Sequence, residues 1–318
     1  MKLQVCCVAS ALSWQQVVCS TLPHKSFCSV ACKPGVDELR MSALLIALLS
    51  SVRWKYVRYT EGAQYIAFLC AFNTKENIFQ SLAEVKVHLI IASTAFILAG
   101  GYIINNFYDV EKDLINRPHR TRFQNLVSRG FKLNFYLLLN FIGLSIALFA
   151  SWRIFLFFLA YSSLLWFYSH KLSKIVLIRE FTASFLTVLA FFSLTIYFRT
   201  MSLPFFLYGM NLFFVLFARE IYKDIIWLKG DVVQGYESIV TKAGLETSKR
   251  IFQVILISSI IVDAAFLWVH TKPEFFYVLG AIAILKTLML ILIEHNIKPI
   301  HRILQLAILL FIVGIVWL

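Results

Sequence analysis

Apolar stretches of helical length, separated by short polar connections, recur along most of the chain. Nine of them run roughly Ser51–Phe72, Val85–Ile104, Phe131–Ala150, Ile154–Ser169, Ile175–Ile196, Leu203–Glu220, Ile251–Val269, Phe275–Ile293 and Ile303–Leu318. Crossing the hydrocarbon core of a bilayer takes about 20 apolar residues in a helix. Several segments lie near the short end of the spanning range, and Arg58 and Glu61 interrupt the first. The pattern predicts an all-α, polytopic membrane protein of about nine transmembrane helices in a bundle. Residues 1–40 depart from it. An apolar run after Lys2 faintly resembles a signal peptide, but Gln15 and Gln16 break it. We read 1–40 as a poorly ordered leader, or as sequence upstream of a true start at Met41, and 41–318 as the transmembrane domain.

Composition supports the membrane assignment. Hydrophobic residues make up 60% of the chain, with 30 Phe, where soluble domains hold closer to half apolar residues. The formal charge of +13 invites a nucleic-acid reading, but in a polytopic chain it reports orientation instead. Placing the N-terminal region and loops 2–3, 4–5, 6–7 and 8–9 on one side gathers most of the 30 Lys and Arg there. That side is expected to be cytoplasmic, with the C-terminus outside and no nucleic-acid partner. Five of the six Cys fall in the first 32 residues with no CxxC pair, and the seven His lack metal-ligand spacing. Neither set suggests a disulfide framework or a zinc site.

The candidate chemistry lies where apolar segments end. After the second comes Asn105-Asn106-Phe107-Tyr108-Asp109-Val110-Glu111-Lys112-Asp113, then Asn116-Arg117-Pro118. Asn105, Asp109 and Asp113 are spaced i, i+4, i+8, so on a helix they share a face. Oxygen donors at such a mouth suit a hard cation. Magnesium takes one or two carboxylates and draws its other ligands from water and phosphate. A second acidic set closes the sixth segment, from Arg219-Glu220-Ile221-Tyr222-Lys223-Asp224 to Lys229-Gly230-Asp231. Asp224 and Asp231 are two helical turns apart, and Gly230 is a place for the backbone to turn. Both sets fall on one side of the membrane, so two helix mouths could grip one diphosphate between them. Arg58, Glu61 and the Arg179–Glu180 pair are ionisable groups within spans, which generally face a bundle interior or a wet cavity.

These motifs resemble the two signatures of the UbiA superfamily of membrane prenyltransferases, and the likeness covers roughly residues 45–318. The resemblance implies a bundle around a central prenyl-diphosphate cavity and Mg²⁺-dependent transfer of a polyprenyl group to an acceptor. It assigns catalysis to Asp109, Asp113, Asp224 and Asp231, which with Asn105 would hold the metal. Asn105, Arg117, Tyr168, Lys171, Lys223 and Lys229 would contact diphosphate, with Lys174 an alternative to Lys171. The second signature departs from the family pattern at Trp227 and Lys229, where relatives carry acidic residues. Arg219–Asp224 is most similar to the branch making digeranylgeranylglyceryl phosphate, an ether-lipid precursor. Aromatic quinone precursors are the alternative acceptors, and a non-catalytic relative or a transporter the alternative roles. The expected location is a bacterial or archaeal cell membrane, with the site facing the cytoplasm.

Overall fold

The computed structural model describes residues 44, 46–72, 81–110, 113–114, 118–269 and 273–317. The chain divides at Ile46 into two compact units. The first, which includes residues 1–40 and so the expected leader, lies almost wholly outside the described residues. The second, Ala47–Leu318, carries the helical bundle.

Among the described residues all regular structure is helical. In chain order the helices are α1 (Trp54–Ala67), α2 (Val85–Tyr108), α3 (Pro118–Gln124), α4 (Arg129–Ala150), α5 (Trp152–His170) and α6 (Ile178–Phe191). They continue with α7 (Ser193–Phe198), α8 (Leu203–Gln234), α9 (Ile239–Ala243), α10 (Leu245–Val269), α11 (Pro273–His295) and α12 (Ile300–Gly314). Each of the nine apolar segments carries a helix. Among the described residues five helices are long and apolar enough to cross a membrane: Val85–Tyr108, Arg129–Ala150, Leu203–Leu228, Leu245–Val269 and Phe275–His295. The first segment is shortened by a π-helical turn at Phe68–Phe72, and the fifth is broken between α6 and α7.

Local chemistry sets several boundaries. The Ser128 hydroxyl accepts from Phe131 N and starts α4, and Ser202 does the same for α8, which has Pro in its first turn. Helix α8 ends at Gly235, whose left-handed φ of 62° suits glycine. Gly230 therefore makes no turn: the helix runs straight through it to Gln234. Asp109 caps the C-terminus of α2, so Asp113 lies beyond that helix, although its N–H still donates to Asp109 O at 2.9 Å.

Helix α2 packs chiefly on α4, with α1 and α5 beside it; α8 packs on α10, and α11 lies between α10 and α12. Helix α6 contacts α1, α5 and α8 and so joins the two groups. The α2–α4 contact is close. A Cβ at Gly143 would sit 2.8 Å from Ile97, and one at Gly100 2.8 Å from the Asn140 amide. Small residues at such a crossing let backbones approach where dispersion and hydrogen bonds, not water release, hold helices together.

A buried ion pair ties α8, α10 and α11. Lys286 Nζ lies 2.5 Å from Asp263 Oδ2 and 2.7 Å from Asn211 Oδ1, which also accepts from Ser259 Oγ at 2.8 Å. Lys286 is fully buried. Apolar environments make an unpaired charge far costlier than a paired one. Asp263→Ala should therefore destabilise the detergent-solubilised protein by about 3–5 kcal/mol. The double variant Asp263→Leu/Lys286→Met should recover most of that loss in thermal unfolding. Equal loss in both would show that the pair's charges are not what the packing needs.

Candidate functional site

A cavity of about 340 Å³ opens where α1, α2, α5, α6 and α8 converge. Its outer part is charged. Asn105, Asp109 and Asp113 come from α2 and the residues after it, Arg179 and Glu180 from the start of α6, and Arg219, Glu220, Lys223, Asp224, Trp227 and Asp231 from α8. Arg53, Tyr56, Tyr168 and Tyr236 complete this part. The inner part is mainly apolar, walled by Leu98, Gly101, Tyr161, Leu165, Ala183 and Leu186. A charged mouth above an apolar cleft is the shape for an amphiphile with a polar head and a hydrocarbon tail.

Seven of the residues singled out in the sequence meet here: Asn105, Asp109, Asp113, Tyr168, Lys223, Asp224 and Asp231. Lys171 does not join them. It caps the end of α5 as an exposed side chain away from the lining, and the nearby Lys174 is likewise exposed and outside it. Arg117 and the side chain of Lys229 lie outside the described residues. Arg58 and Glu61 are not part of the lining, and Arg58 instead lies over the Trp54 ring, 5.9 Å from its centre.

The acids are held in two different ways. On α2, Asn105 Nδ2 donates to Asp109 Oδ2 at 2.7 Å, which orients that carboxylate at the helix end. On the opposite wall, the Arg179 guanidinium donates to Asp224 Oδ2 at 2.7 Å and also pairs with Glu180 and with the Tyr236 hydroxyl. A second donor to Asp224 Oδ2 is Ile239 N, at 3.4 Å. One guanidinium nitrogen, Nη2, thus lies against both carboxylates, while Nη1 donates to the Tyr236 hydroxyl. Glu220 plays the complementary part for the bases: its carboxylate pairs with Arg219 at 2.9 Å and with Lys223.

Trp227 lies one turn after Asp224 and one turn before Asp231, and all three line the cavity. The residue set apart in the second motif therefore lies on the cavity-facing side of α8. Arg179, Glu220, Tyr236 and Arg53 were not among the expected site residues. Arg179 and Glu180 left a trace in the sequence as charges inside an apolar segment, and Glu220 as a member of the second acidic set. Glu220 meets Arg219 and Lys223 on its own helix, whereas Arg53 and Tyr236 reach the cavity from positions distant along the chain.

Donor chemistry in the mouth suits magnesium. Its donors are carboxylate and amide oxygens, hard ligands that Mg²⁺ prefers. Among the described residues no group of three or more His, Cys, Asp or Glu is arranged to hold an ion on its own. Acids instead come from two facing walls, which suits an ion that completes its shell with water and phosphate.

Residues 65–309 match the profile of the UbiA prenyltransferase family. The chain is 28% identical to the digeranylgeranylglyceryl phosphate synthase of Sulfurisphaera tokodaii, covering 68% of this chain and 78% of that one. It is 30% identical to the synthase of that name from Thermococcus sibiricus, over 57% of this chain and 64% of the relative. A solved structure of a digeranylgeranylglyceryl phosphate synthase superposes with a TM-score of 0.66 at 23% identity, covering 86% of this chain and 99% of the other. A UbiA homologue from Archaeoglobus fulgidus, bound to GPP and Mg²⁺, superposes at 0.64 with 16% identity, over 86% and 100%. At these identities the structural likeness speaks for the fold.

The shared guanidinium generates a prediction. Arg179→Ala leaves buried Glu180 and half-buried Asp224 side by side without their cation, which should cost about 3–5 kcal/mol of stability. Arg179→Lys keeps the charge but not the fork, so it should fall between wild type and Ala. Thermal unfolding of the three proteins in one detergent checks the order; a wild-type midpoint for Arg179→Ala would contradict it.

Proposed function

The chain belongs to the UbiA prenyltransferase family, and from that premise we propose that it transfers a geranylgeranyl group from its diphosphate to a geranylgeranylglyceryl phosphate-like lipid. The observation that carries this reading is the single cavity lined at its mouth by Asn105, Asp109 and Asp113 from one side and Asp224 and Asp231 from the other, above an apolar interior. The choice of acceptor is supported by the relatives, several of which bear the name digeranylgeranylglyceryl phosphate synthase.

Ionising an allylic diphosphate puts negative charge on the leaving group and positive charge on the prenyl carbon. Asp109, Asp113, Asp224 and Asp231 would hold Mg²⁺, with Asn105 fixing the Asp109 carboxylate. When bound, the ion neutralises charge on the departing diphosphate. Arg219 and Lys223, tethered by Glu220, present cations to the same oxygens without having to reorganise. Arg179 holds Asp224 in place. Tyr56, Tyr102 and Tyr168 turn aromatic surface toward the cavity, and a ring face stabilises a nearby cation by about 0.5–2 kcal/mol. The C–O bond to diphosphate breaks, its electron pair leaves with the diphosphate, and the acceptor hydroxyl oxygen bonds the prenyl carbon and gives up its proton. Exclusion of water from the apolar interior protects the cation from quenching to an alcohol. The excess of Lys and Arg in the loops on this side supports a mouth that faces the cytoplasm.

Membranes supplied with labelled geranylgeranyl diphosphate and a panel of acceptors, followed by product mass spectrometry, test the proposal. Product with geranylgeranylglyceryl phosphate is expected, and it should vanish with chelator and return with Mg²⁺ or Mn²⁺. Product only with hydroxybenzoate or a naphthoate would replace the acceptor; no diphosphate release with any acceptor would defeat prenyl transfer. Asp109→Ala or Asp113→Ala should abolish turnover at near-normal abundance, since both acids lie at a helix mouth and not in the packed core. Trp227→Asp adds a carboxylate between Asp224 and Asp231 and should lower the Mg²⁺ concentration giving half-maximal rate. An unchanged midpoint with a reduced maximal rate would instead assign Trp227 to packing against substrate.

A further inference from the structure

The two asparagines of the first motif have different tasks. Asn105 lines the mouth and holds Asp109, whereas its neighbour Asn106 is outside the lining and buried where α2 meets α3 and α4. Asn106 Oδ1 accepts from Lys132 Nζ at 2.9 Å, and Asn106 Nδ2 donates to Gln124 Oε1 at 3.0 Å. Gln124 Nε2 in turn donates to Ser50 O, ahead of α1, at 3.0 Å. The chain of bonds thus runs one way, from an ammonium on α4 through two amides to a backbone carbonyl. Helix α3, which supplies Gln124, also supplies Thr121, whose hydroxyl donates to Asp113 O at 2.8 Å. Asp113 lies beyond the end of α2 and keeps one bond back to it, from its N–H to Asp109 O at 2.9 Å. Its backbone is therefore held on one side by Asp109 and on the other by α3.

Lys132 stands out in this arrangement. It is 1% exposed, and among the described residues no carboxylate pairs with it: its acceptors are the neutral amide oxygens of Asn106 and, at 3.5 Å, Asn125. A buried ammonium without a counter-charge is costly, and an apolar side chain of the same length would fill the space without that cost. What the ammonium adds is a charge-assisted bond, about twice as strong as a neutral one, aimed at Asn106. We propose that Lys132 is a positioning residue for the cation site. Through Asn106 and Gln124 it docks α3 on α2, and α3, through Thr121, sets where Asp113 stands relative to Asp109. The inference rests on the prenyl-transfer reading, in which these two acids share a Mg²⁺. Groups that orient metal ligands from behind commonly change metal affinity by about 10–100-fold when removed.

The test follows binding of labelled geranylgeranyl diphosphate to the full-length protein in lipid nanodiscs as Mg²⁺ is titrated, a readout that needs no acceptor. Lys132→Met keeps the reach of the side chain and removes its charge and donors. It should raise the Mg²⁺ concentration for half-maximal binding about tenfold, with the amount bound at saturating Mg²⁺ still at the wild-type level. A purely structural role would lower the amount bound and leave the midpoint in place, which overturns the proposal. Thr121→Val deletes the hydroxyl at the far end of the chain and should shift the midpoint the same way, so it decides the matter if Lys132→Met fails to fold. Asn140→Ala, deeper on α4 and bonded to Tyr136 O of its own helix, should leave the midpoint unchanged. An equal shift there would also overturn the proposal. Wild-type midpoints in both Lys132→Met and Thr121→Val overturn the positioning role alone and leave prenyl transfer standing. Donor binding by wild type that fails, or that ignores Mg²⁺, defeats the metal-dependent reading and the proposal together.

Discussion

Arg179 stands between two carboxylates, Glu180 on its own helix and Asp224 on α8, with the Tyr236 hydroxyl as a third partner. Taking these charges out of water is costly unless they compensate one another, and the guanidinium pairs in charge with both acids at once. Because α6 also touches α1 and α5, the contact fixes the α8 wall of the cavity relative to the wall that carries Asn105 and Asp109. The spacing of the two acidic sets, and with it any grip on a single diphosphate, depends on this tie. Glu220 does the matching work for Arg219 and Lys223, so that the mouth holds both signs of charge in fixed places.

Much of the architecture was legible in apolar periodicity, because a membrane helix must satisfy its backbone internally and so announces itself as a long hydrophobic run. The breaks were less so. Gly230 has the composition of a turn, yet α8 continues to Gly235, since packing along α8 outweighs the modest helix penalty of one glycine. The interruption between α6 and α7 has no Pro or Gly to mark it. It is supported instead by Gln64, more than a hundred residues earlier in the chain. Lys286 reads as an anomaly in an apolar segment until Asp263 and Asn211 are placed beside it.

The site divides in the same way. Acids at helical spacing beside apolar ends were visible as a pattern, and Asn105, Asp109, Asp113, Asp224 and Asp231 do line one cavity. Tyr168 was placed by family likeness and joins them, while Lys171, placed the same way, faces outward at the end of α5. Arg179 holds Asp224 across two helices, a partner set by tertiary packing that no spacing rule announces, whereas Glu220 meets Arg219 and Lys223 at neighbouring positions of its own helix. Trp227, singled out in the second motif, lies between Asp224 and Asp231 on the same wall of the cavity.

The central claim is that α2 and α8 grip one diphosphate jointly through a divalent ion. Electron paramagnetic resonance of Mn²⁺, titrated into the purified protein with and without inorganic diphosphate, tests it most directly. The account predicts tight Mn²⁺ binding only when diphosphate is present, lost in Asp109→Asn and lost equally in Asp224→Asn. Diphosphate-dependent binding that survives either single substitution unchanged would contradict it.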